Sequence, residues 1–119
     1  MPTTAHPPRR AALGEMKAHA ADAAELLKAL GNEQRLLVLC SLAEGPLTVG
    51  ELNRRVPLSQ SALSQHLAKL REAGLVGTRR EAQTIHYSLA SGPVTAVMAT
   101  LRDIYCAPPA TARRAARRA

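Results

Sequence analysis

Apolar side chains recur at helical spacing over most of this chain and then, for one short stretch, at alternate positions. Met16, Ala20, Ala23, Leu27 and Leu30 form one stripe, predicting a helix from about Leu13 to Leu30 with Gly31 as its C-terminal stop. Asn32 is positioned to N-cap a second helix, on which Leu36, Leu39, Cys40 and Ala43 share a face before Gly45-Pro46 ends it. Thr48-Val49-Gly50-Glu51 has the spacing of a capping box and opens a short third helix that Pro57 stops. Ser59 caps a fourth helix running to Ala73, with Leu58 and Leu63 spaced as a hydrophobic staple and Gly74 beyond its end. The period then drops to two: Leu75–Arg80 and Thr84–Leu89 read as strands joined through Glu81-Ala82-Gln83. Ser91 is the expected cap of a last helix, with Val94, Val97, Met98, Leu101 and Tyr105 on its apolar stripe. The predicted order is α-α-α-α-β-β-α, a mainly helical fold with one small β-hairpin. It describes a winged helix-turn-helix.

The fourth helix has two faces of different chemistry. At the angular step of an α-helix, Leu63, Leu67 and Leu70 fall within about 60° of one another, while Gln60, Ser61, Ser64, Gln65 and Ala68 occupy a separate arc of about 140°. A helix anchored by leucines and presenting Gln and Ser suits a DNA major groove. Gln pairs bidentately with adenine N6 and N7, and Ser donates or accepts. Arg54, Arg55, Lys69, Arg71, Arg79 and Arg80 flank it as candidate phosphate contacts, which set register and affinity rather than sequence preference. A solvated polar face is the competing explanation for the helix alone. The turn before it and the basic hairpin after it favour double-stranded DNA.

Composition narrows the alternatives. The chain has 119 residues, and with 17 leucines, 23 alanines, two tyrosines and no Phe or Trp its core is aliphatic. So few aromatics leave no stacking platform for unpaired bases, which argues against RNA. The net charge of +7 resides mostly at the ends, because Arg9, Arg10, Arg113, Arg114, Arg117 and Arg118 carry six of the sixteen basic charges. Between Leu52 and Arg80, however, six basic residues face one acidic residue, Glu72, so the local patch matters more than the total. Residues 1–12 and the basic segment 107–119 are Pro- or Ala/Arg-rich and read as disordered tails around a single domain, 13–106. The C-terminal tail is either a solubilising end or a source of nonspecific attraction to DNA. No apolar run reaches membrane-spanning length and no signal-peptide pattern opens the chain, so a cytoplasmic protein without membrane contact is expected. No nucleophile–base arrangement or phosphate loop is recognisable, which argues against an enzyme.

Three blocks carry a family resemblance. Leu27-Lys28-Ala29-Leu30-Gly31-Asn32-Glu33-Gln34-Arg35-Leu36, Ser59-Gln60-Ser61-Ala62-Leu63-Ser64-Gln65-His66-Leu67 and His86-Tyr87-Ser88-Leu89 resemble the ArsR/SmtB repressors in order and spacing, over about residues 20–106. The resemblance implies a homodimer built through the first and last helices, with two recognition helices reading an imperfect palindromic operator. It also implies that Gln60, Ser61, Ser64 and Gln65 face the bases, in agreement with the arc above. His66 lies on neither arc and is expected to pack or cap. Metal sensing, common in the family, lacks its ligands. The metalloid-type Cys-x-Cys segment is here Val49-Gly50-Glu51-Leu52-Asn53, and residues 91–106 offer only Asp103 and Cys106 in place of the zinc-type set. No metal or other cofactor is expected.

The two cysteines stand 66 positions apart and form neither a disulfide scaffold nor a CxxC pair. Cys40, on an apolar helix face, reads on its own as a buried core thiol. Cys106 closes the last helix, where Arg102 favours a thiolate and the helix's negative end opposes it. Leu39-Cys40-Ser41-Leu42 and Ile104-Tyr105-Cys106 nevertheless resemble the family's two-cysteine branch, which senses reactive sulfur species such as glutathione persulfide. That resemblance implies that Cys40 and Cys106 become bridged, typically as a tetrasulfide, and that the protein then releases DNA. A general thiol-oxidation sensor forming a direct disulfide is the alternative, with a metal-responsive repressor behind it.

Overall fold

The structure, a computed structural model, describes residues 9–106. Its elements are α1 (Arg9–Leu30), α2 (Glu33–Leu42), β1 (Leu47–Thr48), α3 (Val49–Arg55), α4 (Gln60–Glu72), β2 (Val76–Glu81), β3 (Thr84–Leu89) and α5 (Pro93–Tyr105). This is a winged helix-turn-helix, mainly helical with a small antiparallel sheet. The tail expected at 107–119 lies outside the described residues, as do residues 1–8. Residues 9–12, expected within the N-terminal tail, belong to α1 instead: Arg9, Arg10, Ala11 and Ala12 are all strong helix formers, and the helix extends back through them.

The sheet has the order β1-β3-β2. In place of the expected two-stranded hairpin there is a third strand of two residues, with Leu47 paired to Tyr87 and Thr48 to His86. So short a strand has no periodicity to read. It exists because β3 offers it a free edge. The wing itself follows the alternating pattern, with Val76 opposite Leu89 at its base and Glu81 opposite Thr84 at its tip, where Ala82 takes a positive φ of 57°.

Local chemistry explains the helix boundaries. Asn32 Oδ1 accepts from the Arg35 amide at 3.0 Å to cap α2, while the Arg35 guanidinium donates back to the Ala29 carbonyl at 2.7 Å, satisfying the end of α1. The Thr48/Glu51 capping box is complete: Thr48 Oγ1 accepts from the Glu51 amide and Glu51 Oε1 from the Thr48 amide. Those bonds hold the Glu51 carboxyl below the usual carboxylate range. At the end of α4, Gly74 adopts φ 75°, the Leu75 amide donates to Leu70 and the Gly74 amide to Arg71, a Schellman turn sealed by the buried pair Leu70 and Leu75. Helix α5 departs from expectation, since Gly92 rather than Ser91 is its N-cap, with no side-chain bond and Pro93 in the first turn.

The core joins Leu30, Val38, Leu39, Leu42, Leu52, Val56, Leu63, Leu67, Leu70, Leu75, Val76, Val94 and Met98. Three predicted stripes shift. On α2 the buried positions are Val38, Leu39 and Leu42, while Leu36, Cys40 and Ala43 are only partly buried. On α1 the contacts to this core come from Leu26, Ala29 and Leu30, whereas Leu13, Met16 and Leu27 are exposed. On α5, Tyr105 is 79% exposed and Ile104 63%, so the stripe leaves the core after Leu101. On α1 and α5 these apolar side chains have no packing surface over them among the described residues. Among the described residues, no helix is long and apolar enough to cross a membrane.

Candidate functional site

Two regions carry candidate chemistry. The first is α4 with its approaches. Leu63, Leu67 and Leu70 are fully buried, which fixes the helix roll and turns Gln60, Ser61, Ser64, Gln65 and Ala68 outward, all exposed. The Ser59 hydroxyl accepts from the Ala62 amide at 3.1 Å, so the first turn is capped and its Gln60 and Ser61 side chains are held on an ordered backbone. The turn joining α3 to α4 is tied by Asn53 Nδ2, which donates to the Leu58 carbonyl at 2.7 Å. His66 is half-buried with its Nδ1 inside, and burial, reinforced by Arg35 and Lys69, lowers its pKa. It packs rather than projects.

The six basic residues do not form one group. Arg54, Lys69, Arg71 and Arg80 are exposed. Arg79, on β2, pairs with Glu81 at 3.3 Å, an exposed contact that is weakly held. Arg55 is engaged elsewhere, donating to Glu44 at 2.9 Å. Sequence reasoning also passed over Tyr87 as a surface residue. From β3 it lines the groove between α4 and the wing together with Ser64, Ala68 and Arg71. Alternation along β3 was the available signal.

The second region is a shallow pocket of about 400 Å³ lined by Leu37, Cys40, Ser41, Glu44, Arg55, Arg102 and Cys106. Both cysteines are free thiols. Cys40 is half-buried at the edge of the core rather than inside it, which corrects the core-thiol alternative, and Cys106 is exposed as the C-cap of α5, its amide donating to the Arg102 carbonyl at 2.7 Å. Burial raises the Cys40 pKa, the nearby Cys106 and Glu44 raise it further, and Arg102 works against them. Glu44 was missed from sequence, although Leu37, Cys40, Ser41 and Glu44 follow the spacing of one helical face. Among the described residues, no three His, Cys, Asp or Glu side chains come together in a way that would hold a metal ion.

Known proteins share this architecture. Residues 32–78 match the family described as bacterial regulatory protein, arsR family. The chain is 55% identical over 94 residues to the transcriptional activator HlyU of Vibrio cholerae, covering 79% of this chain and 87% of that one. Its structure is similar to that of reduced HlyU from Vibrio cholerae, with a TM-score of 0.73, 55% identity and coverage of 77% and 97% of the two chains. It is also similar to the transcriptional repressor BigR from Xylella fastidiosa, with a TM-score of 0.72, 39% identity and coverage of 79% and 93%. The capped helix-turn-helix, the wing and these relatives together establish that the chain belongs to the ArsR family of DNA-binding transcriptional regulators.

Proposed function

We propose that this regulator is a cytoplasmic, homodimeric repressor that binds operator DNA when its thiols are reduced and releases it when persulfides bridge Cys40 to Cys106. One observation carries the reading: two cysteines 66 positions apart in sequence line the same surface pocket, one from α2 and one from the end of α5. The relative described as reduced fits a regulator with more than one redox form. Dimerisation is supported by Leu13, Met16 and Leu27 on α1 and by Ile104 and Tyr105 on α5, apolar groups that nothing in the described chain covers. Gln60, Ser61, Ser64 and Gln65 then read bases, with Arg54, Lys69, Arg71, Arg79 and Arg80 on phosphates.

The chemistry balances with glutathione persulfide as sole reagent. Two molecules each transfer a sulfane sulfur to a cysteine thiolate and leave as glutathione. Joining the two cysteine persulfides as a tetrasulfide releases two protons and two electrons, which a third molecule accepts as it becomes glutathione and hydrogen sulfide. A bridge between α2 and α5 ties the support of the helix-turn-helix to the dimer helix. Two recognition helices must meet half-sites about 34–36 Å apart, so a small rotation misplaces one of them. DNA and sulfur donor therefore oppose each other, as linkage requires.

Intact mass and peptide mapping after anaerobic treatment with glutathione persulfide test this. The expected result is a gain of two sulfurs and loss of two hydrogens linking Cys40 to Cys106, with loss of operator binding that Cys40→Ser abolishes. Loss of two hydrogens alone indicates a general disulfide switch. An unchanged mass, or DNA release that survives Cys40→Ser, overturns the bridge.

A further inference from the structure

We propose that Arg102 is the anion-docking residue of the cysteine pocket and selects sulfur donors that carry a carboxylate. The inference rests on the sensing role proposed above and adds the chemical class of donor. Three charged side chains line the pocket: Glu44 from the turn after α2, Arg55 from the end of α3 and Arg102 from α5. Glu44 and Arg55 neutralise each other at 2.9 Å. Arg102 makes no salt bridge among the described residues, so the pocket retains one unspent guanidinium.

That charge lies one turn before Cys106 on the same helix and near enough to act on Cys40. A volume of about 400 Å³ falls in the range of small-molecule sites, larger than a bare hydrosulfide needs. A guanidinium fork binds a carboxylate through paired N–H donors. A donor held by its carboxylate brings its sulfane sulfur to the two thiols that line the same pocket. Leu37, 41% exposed, supplies the apolar floor for its carbon chain. Arg102 is thus a binding and positioning residue, distinct from the cysteines that react.

The test compares two persulfide donors of opposite charge, glutathione persulfide (net negative) and cysteamine persulfide (cationic). Rates of bridge formation are measured by intact mass on the full-length wild type, Arg102→Gln, Arg102→Glu and Arg102→Lys. The quantity read is the ratio of the two rates, and comparing that ratio between variants cancels the donors' intrinsic reactivity. Selection by docking predicts that the ratio falls about fivefold in Arg102→Gln, falls further in Arg102→Glu, and is largely retained in Arg102→Lys, with the preference shrinking as salt rises. An equal slowing of both donors in Arg102→Glu means the arginine only supports thiolate formation and overturns the proposal, as does an unchanged ratio. If the wild type forms no bridge with either donor, the sensing role itself fails. Bridge formation with an unchanged ratio removes the donor selectivity alone.

Discussion

The DNA-reading helix and the cysteine pocket are built in opposite ways. Helix α4 is specified almost entirely by neighbours in sequence: a serine cap, a leucine period, a Schellman turn at its end, and polar residues on the remaining arc. The pocket takes side chains from α2 and the turn after it, α3 and α5, spread between positions 37 and 106, and owes its shape to how those helices dock. The first is the proposed reading head, whose exposed polar arc is set by its own cap and leucine period. The second joins elements whose relative placement a covalent bridge can alter. A regulator needs both: specificity on a local, pre-formed surface and responsiveness at a junction between elements.

This contrast is open to direct attack. Replacing Gln60 or Gln65 with Ala should cost about 1–3 kcal/mol of discrimination between operator and scrambled DNA if that side chain makes a bidentate base contact, while leaving the rate of cysteine bridging unchanged. Binding isotherms on both DNAs at fixed salt, paired with the mass assay, check this. A change in bridging would show that the regions are not separable. Ser59→Ala should lower stability by about 1 kcal/mol in urea unfolding, because the Ala62 amide loses its acceptor, and should leave thiol reactivity alone. The smallest effect concerns the two thiols. Exposed Cys106 should be alkylated by iodoacetamide before half-buried Cys40. Burial raises the Cys40 pKa, so its neutral form persists to higher pH and its alkylation should climb above the pH at which an ordinary thiol levels off. Peptide mapping of partially alkylated protein across pH reads both. Equal rates at all pH values would mean that the pocket gives Cys40 no protection.

Much of the fold was legible because caps and periods act over a few residues. Asn32, Thr48, Ser59 and Gly74 sit where the helices begin or stop, and Leu63, Leu67 and Leu70 are the buried face of α4. Ser91 misled because a serine before a helical pattern is a common cap, yet Gly92-Pro93 opens α5 with a backbone turn at φ 110° instead. Arg55 illustrates the limit for the site. Sequence lists it among the candidate phosphate contacts, and only the packing of the chain brings it within reach of Glu44. Cys40 looked like a core thiol because helical period places it beside Leu36 and Leu39, but only Leu39 is fully buried.

The sequence by itself determined the helices, the wing, the polar arc of α4 and the family blocks, because each follows from spacing and capping within a single element. Tertiary structure alone decided that β1 pairs with β3 and, among the described residues, that apolar side chains of α1 and α5 are left uncovered and that Cys40 and Cys106 share a pocket with one guanidinium that makes no salt bridge. Those features depend on which surfaces of distant segments meet, and no local period or cap encodes that meeting.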